Sequence, residues 1–254
     1  MARRYFQLEV EEELALVRFD RPPVNAIDIA VVQEFESLMS EIESDVRMGS
    51  VVITGRPGVF SAGLDLKAVI HYSPREQREM ITGINRLLGK LYAFPLPVVA
   101  AVSGHAIAAG FVLALSCDYR VGAEGPFEFG LSEARVGIPF PAGALAIVQA
   151  EMDPAAKRAA VLVARKVGSA EALRYGVLDE LVGTDRVLVR AKELAGELAG
   201  IPRQAYARIK RQLRAATVRE IEATVASGSD PMLDSWIGPE AVTASAEVLA
   251  VKRS

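Results

Sequence analysis

The chain opens with alternating apolar and polar positions, Phe6-Gln7-Leu8-Glu9-Val10, and then a denser run, Leu14-Ala15-Leu16-Val17-Arg18-Phe19. Residues 11–13 between them are all glutamate, so the two runs predict strands around a polar turn. Beyond them the period lengthens. Ile29, Val32, Phe35, Leu38, Met39, Ile42 and Val46 fall on one face at helical spacing, behind Asp28 as the capping residue. Residues 51–54 then form a short apolar run ending at Gly55, the pattern of a buried strand.

The succession of buried strand and striped helix continues. Ser73 and Glu76 make a capping box with Pro74 at the first helical position, and Met80, Ile84, Leu87, Leu88 and Leu91 supply the stripe. Residues 91–117 contain no Asp, Glu, Lys or Arg, a length that could pass for a membrane span. Pro95, Pro97 and Ser103-Gly104 break it, so it reads as a buried strand over Val98–Val102 and a buried helix over 108–116. Asp153-Pro154 starts another helix, and residues 169–176 read as a short one closed by Gly176. After residues 178–182 the pattern is nearly all helical, with Val187, Ala191, Leu194, Ala195 and Leu198 on one face. The expected organisation is an α/β core over residues 1–195, then a C-terminal helical region for oligomer contacts over 196–254.

Composition narrows the function classes. The 254 residues are 51% apolar and 24% charged, enough for a substantial core and too apolar for wholesale disorder. A net charge of −3 gives no global basic field for nucleic acid or an anionic membrane, so neither is an expected partner. Cys117 is the only cysteine and has no disulfide partner, and with His71 and His105 the only histidines there is no zinc-ligand spacing. Arg3 and Arg4 run straight into a strand pattern rather than a secretory leader, so a cytoplasmic location is expected.

Two loops carry the candidate chemistry. Gly58-Val59-Phe60-Ser61-Ala62-Gly63-Leu64-Asp65-Leu66 and Ser103-Gly104-His105-Ala106-Ile107-Ala108-Ala109-Gly110 each follow an apolar run and lead into a predicted helix. Small residues there let backbone N–H groups converge on one anionic oxygen. Gly58 and Gly63 have the spacing of a phosphate-binding loop, but Leu64-Asp65 stands where Lys-Ser/Thr is needed. No Gly-x-Gly-x-x-Gly follows a predicted strand, so a dinucleotide fold has no support either. Close packing is the competing explanation for each loop alone. The pair, with Glu133 downstream, favours a thioester enolate held by backbone donors and served by one carboxylate.

Phe60-Ser61-Ala62-Gly63-Leu64-Asp65-Leu66-Lys67, residues 100–110, Asp118-Tyr119-Arg120, Phe129-Gly130-Leu131-Ser132-Glu133 and residues 170–179 resemble, in order, the signature of the crotonase (enoyl-CoA hydratase/isomerase) superfamily. The resemblance spans nearly the whole chain. It implies a crotonase-type spiral of ββα turns and an acyl-CoA thioester substrate. It assigns the oxyanion-hole N–H groups to Ala62 and Ala109, and the proton-carrying carboxylate to Glu133. It places Val24 and Ala26 along the CoA groove, with Gly63, Leu64, Asp65, Leu66 and Gly110 also binding substrate and residues 64–66 on the adenine side. CoA is then part of the substrate, and no separate cofactor or metal is expected. A homotrimer, or a hexamer of two trimers, is implied as well.

One position departs from the pattern. Two carboxylates serve the family's hydratases; Glu133 stands at one and Val112 at the other. An isopropyl group can neither hold nor deprotonate water, and a missing acid–base partner forfeits about 10²- to 10⁴-fold in rate. The chain therefore resembles the mitochondrial type of enoyl-CoA isomerase, which runs on one glutamate facing an apolar residue. The reaction this implies is conversion of 3-enoyl-CoA to 2-enoyl-CoA, with Glu133 carrying a proton from C2 to C4. The alternatives are hydration of 2-enoyl-CoA, hydrolysis or decarboxylation of an acyl-CoA in the same oxyanion hole, and a binding protein with degenerate catalysis.

The other polar residues have milder readings. His71 sits near the expected acyl pocket, whose walls are expected from residues 67–90 and 136–145, and reads as a surface histidine. His105 reads as a hydrogen-bonded structural residue; Glu128 is close to Glu133 in sequence, but its odd spacing across a strand-like segment leaves a shared site open. Arg203, Arg208, Lys210, Arg211 and Arg214 read as a solvated helix face, with CoA phosphates of a neighbouring subunit as the alternative the resemblance implies. Met80 and Met232 are left to packing.

Overall fold

A computed structural model describes residues 3–251. Its first six strands are β1 (Phe6–Glu11), β2 (Leu14–Phe19), β3 (Ala26–Ile27), β4 (Ser50–Thr54), β5 (Gly58–Ser61) and β6 (Gly63–Leu64). The rest are β7 (Val98–Val102), β8 (Gly104–Ile107), β9 (Tyr119–Ala123), β10 (Glu128–Gly130), β11 (Val167–Gly168) and β12 (Glu180–Val182). A six-stranded sheet has the order β1-β2-β4-β7-β9-β12, antiparallel only at β1/β2. A four-stranded sheet has the order β11-β10-β8-β5, and β3 pairs with β6 alone.

The chain builds both larger sheets together. It leaves β4 for β5, β7 for β8 and β9 for β10, and follows each pair with helix. These are the ββα turns that the resemblance implies. β4 and β7 are buried at every residue because helices cover both faces of the large sheet, which is why they read as unbroken apolar runs. Val51, Ile53, Val98, Ala100 and Val102 face the main core. Val52, Val99 and Ala101 face the opposite layer, where Val187, Ala191 and Ala195 of the helix Val187–Ala199 meet them. That helix runs through the boundary expected at residue 195. The later helix Ala215–Ser227 packs back on Pro74–Tyr92 and Ala142–Glu151, so the C-terminal region completes the core.

The caps at Asp28 and Ser73 act as expected, while Asp153 precedes its helix without a side-chain cap bond. The Asp28 carboxylate accepts from the Val31 N–H at 2.9 Å and starts the helix Ile29–Ser44. Ser73 and Glu76 form both halves of their capping box. Val46 departs from its predicted stripe: the helix ends at Ser44 and Val46 is 84% exposed. Residues 91–117 fold as the buried strand β7, then β8 and the helix Ala109–Leu115. Among the described residues no helix is long and apolar enough to cross a membrane.

Candidate active site

The parallel pairing of β10 with β8 sets the site. Gly130 lies opposite Ile107, and the Ala108 N–H donates to the Gly130 carbonyl at 2.8 Å. The chain leaving β10 therefore delivers Glu133, at the start of the short helix Glu133–Val136, beside the loop that ends at Gly110. Buried Leu131 and Val136 pin this segment to the core. Glu133 is only 9% exposed, and its Oε2 has no hydrogen-bond partner. Burial pushes its carboxyl group up to about 7, since the backbone N–H groups of Ser132 and Glu133 offset the lost hydration only in part.

Glu133 lines two cavities, together with Leu64 and Ile138. The outer one, about 200 Å³, is lined by Ala62, Leu64, Leu66, Ile107, Ala108 and Ser132, with Arg135 and Lys166 among its other walls. An inner one of about 20 Å³ holds Val112, Ala109 and Ile138. Among the described residues Glu133 is the only ionisable side chain lining the inner cavity. Val112 and Glu133 share that cavity, so the position opposite the carboxylate is apolar in space as well as in sequence.

The two small-residue loops meet at a pair of glycines. Gly63 has φ +83°, and a Cβ on it would lie 2.7 Å from the Ile107 carbonyl oxygen and 3.0 Å from the Ala109 nitrogen. A Cβ on Gly110 would lie 2.4 Å from the Ser61 carbonyl oxygen. Only glycine lets the backbones approach this closely. Ala108, at φ 52°, turns the chain into the helix Ala109–Leu115. Its carbonyl accepts from Phe111 and Val112, while the Ala109 N–H has no partner among the described residues. On the facing loop the Asp65 N–H donates to the Ile27 carbonyl at 2.8 Å. Neighbouring amides on an extended strand point opposite ways, so the Leu64 N–H points away from β3, where β6 has no second strand. Ala62 differs: its N–H donates to the Val24 carbonyl at 3.0 Å. The expected donor at Ala62 is thus already engaged, and the open amide on this loop is that of Leu64.

The comparisons with known proteins show the family. A family model described as Enoyl-CoA hydratase/isomerase matches residues 9–248. The chain belongs to that family. Mitochondrial enoyl-CoA delta isomerase 1 of Rattus norvegicus is 31% identical over 211 residues, covering 82% of this chain and 73% of the relative. Carnitinyl-CoA dehydratase of Escherichia coli is 33% identical over 209 residues, covering 81% and 78%. The crystal structure of human mitochondrial delta3-delta2-enoyl-CoA isomerase superposes with a TM-score of 0.89 at 28% identity, covering 98% of each chain. The protein is accordingly an enzyme of the crotonase superfamily, acting on acyl-CoA thioesters of the enoyl-CoA hydratase/isomerase kind.

The remaining residues singled out from sequence divide between groove and scaffold. Val24 is 40% exposed and Ala26 half-buried, and Ala26 lies opposite Gly63 in the β3–β6 pair. Asp65 caps the helix Leu66–Val69 and is ion-paired with Arg21 at 3.0 Å, as is Asp28 at 2.6 Å. Asn25, which the sequence places only within the groove-lining segment 23–27, holds that segment in place. It is fully buried at φ 51°, and its amide donates to the carbonyls of Phe19 and Phe60. Asparagine tolerates that backbone region better than most residues, which was the available signal.

His71 is exposed, and His105 accepts the Glu128 N–H on Nδ1 at 2.9 Å. Glu128 pairs with Lys166 at 2.9 Å and lies on the surface. The inner cavity takes walls from both segments expected to line the acyl pocket, Ile84 and Leu88 in one and residues 138–141 with Ala144 in the other. Trp236, also in that wall, was not anticipated. The solvated-face reading of the basic run fails at two positions: Lys210 and Arg214 are buried against Asp118 at 2.7 and 3.0 Å.

Proposed function

We propose that this enzyme converts 3-enoyl-CoA to 2-enoyl-CoA with Glu133 as its single base. The thioester carbonyl oxygen accepts from the N–H groups of Leu64 and Ala109. The Glu133 carboxylate removes a C2 proton, and the electron pair moves into a dienolate whose negative oxygen the two amides stabilise. Each such donor contributes about 3 kcal/mol to the transition state. Protonated Glu133 then returns the proton at C4, and the double bond settles between C2 and C3. Val112 keeps a second polar group away from this path.

The observation that carries the reading is a lone carboxylate, raised to about 7, in an otherwise apolar cavity. A base with a pKa near the operating pH balances ionisation against proton affinity. The similarity to the rat isomerase supports the same choice. Hydration is the second reading, because similarity to the E. coli dehydratase is equally strong. It would need a water-holding group opposite Glu133, where Val112 stands. Incubation with cis-3- and trans-2-enoyl-CoA, resolved by mass and chromatography, separates the two. The expected result is 2-enoyl product of unchanged mass from the 3-enoyl substrate. Water addition to trans-2-enoyl-CoA at an ordinary enzymatic rate, about 10 per second, would replace isomerase by hydratase.

A further inference from the structure

The inner cavity is small, and one of its walls comes from a distant part of the chain. Its volume is about 20 Å³, against about 150 Å³ for an apolar cavity that takes benzene. Pro139, Phe140, Pro141 and Trp236 give it bulky walls. Trp236 is 1% exposed, and its indole N–H donates to the Pro139 carbonyl at 2.9 Å.

The segment bearing this tryptophan is fastened on both sides. The Ile237 N–H donates to Gln77 Oε1 at 3.0 Å. The buried Asp230 carboxylate accepts from Asn85 Nδ2 at 2.6 Å and from the N–H groups of Ala142 and Met232, both at 2.8 Å. Gln77 and Asn85 lie on the helix Pro74–Tyr92, and Ala142 opens Ala142–Glu151. The same polar groups therefore fix the indole and both helices that line the cavity. This wall is a built part of the core.

We propose that Trp236 sets the length of acyl chain the enzyme accepts, so that short acyl groups are favoured over long ones. The proposal rests on reading the inner cavity as the acyl side of the site, and is independent of which reaction follows there. A longer chain would have to break through Ile84, Leu88 and Ala109, which also wall a separate apolar cavity of about 30 Å³.

Trp236 is the only tryptophan in the chain, so its emission reports on this wall of the cavity. The test titrates wild type with saturated butyryl-, hexanoyl-, octanoyl- and dodecanoyl-CoA, read by fluorescence and calorimetry. The short thioesters should bind at least tenfold more tightly than dodecanoyl-CoA and shift the emission. Trp236→Ala, and the milder Trp236→Leu, should move the tightest ligand to octanoyl-CoA or longer. Wild-type affinity that climbs through dodecanoyl-CoA at roughly fourfold per methylene overturns the proposal, even if neither variant folds. An unchanged profile in a folded variant also overturns it. Saturated thioesters cannot isomerise, so the short-chain profile without isomerase activity would remove only the reaction. No acyl-CoA binding at all would remove the site reading too.

Discussion

A carboxyl group near pKa 7 is half protonated at neutral pH, so Glu133 should give the enzyme a rate that rises with pH and levels off above about 7. Its stability should move the other way. The folded state holds this proton up to about 7, whereas an unfolded glutamate releases it near 4.5. The folded form therefore binds more protons inside that window, and stability falls as pH rises through it, by about 3 kcal/mol in all. Glu133→Gln cannot titrate. We expect it to lose turnover, keep acyl-CoA affinity within a few-fold, and gain stability over wild type between pH 4.5 and 7.5. Urea denaturation at both pH values checks the last point, and equal pH dependence of the two proteins would mean that Glu133 is not desolvated. Glu133 and Val112 were legible in sequence because each lies at a fixed offset inside a motif. Leu64 as the open amide was not, because only the pairing of β3 with β6 reveals that the Ala62 N–H goes to Val24. Trp236 was hidden for a similar reason, since its partner Pro139 lies 97 residues away.

Elements whose reasons for forming are local matched the sequence well: β1, β2, β4 and β7 by their apolar patterns, Ile29–Ser44 and Pro74–Tyr92 by their caps. The second sheet was not legible. β5, β8, β10 and β11 are four residues or fewer, and they pair by position in the spiral rather than by pattern. Yet this sheet is what aligns Gly130 with Ile107 and so brings Glu133 to the Ala109 amide. The start of the helix Ala109–Leu115 can be tested directly, because proline is tolerated at a first helical position and removes only an N–H with no intramolecular partner. Ala109→Pro should keep its fold, by circular dichroism and thermal melting, and lose on the order of 10²-fold in kcat. A well-folded variant at full rate would take Ala109 out of the oxyanion hole.

At the scale of the whole molecule, the basic run near the C-terminus works as an anchor. Asp118 precedes β9; its carboxylate accepts from Lys210 and from the Val98 N–H, both at 2.7 Å, and is ion-paired with Arg214 at 3.0 Å. Arg214 lies over the Tyr92 ring, 4.0 Å from its centroid, and donates to the Tyr92 carbonyl. Burial lowers the Lys210 pKa, and the Asp118 charge opposes that shift. On sequence alone these cations looked solvated because their counter-charge is 92 residues away from Lys210. The three side chains are 5–10% exposed, so removing one charge strands the others without water. Asp118→Asn keeps an oxygen for the Val98 N–H and deletes only the charge. It should cost about 3–5 kcal/mol, a fall in Tm on the order of 10 °C for a chain of this size. The loss should shrink towards pH 10, since an uncompensated Lys210 releases its proton more readily folded than unfolded. Lys210→Met should cost less, because Arg214 still pairs with Asp118. A loss below about 1 kcal/mol for Asp118→Asn would mean that the cluster behaves as a surface ion pair and that apolar contacts alone dock the C-terminal helices.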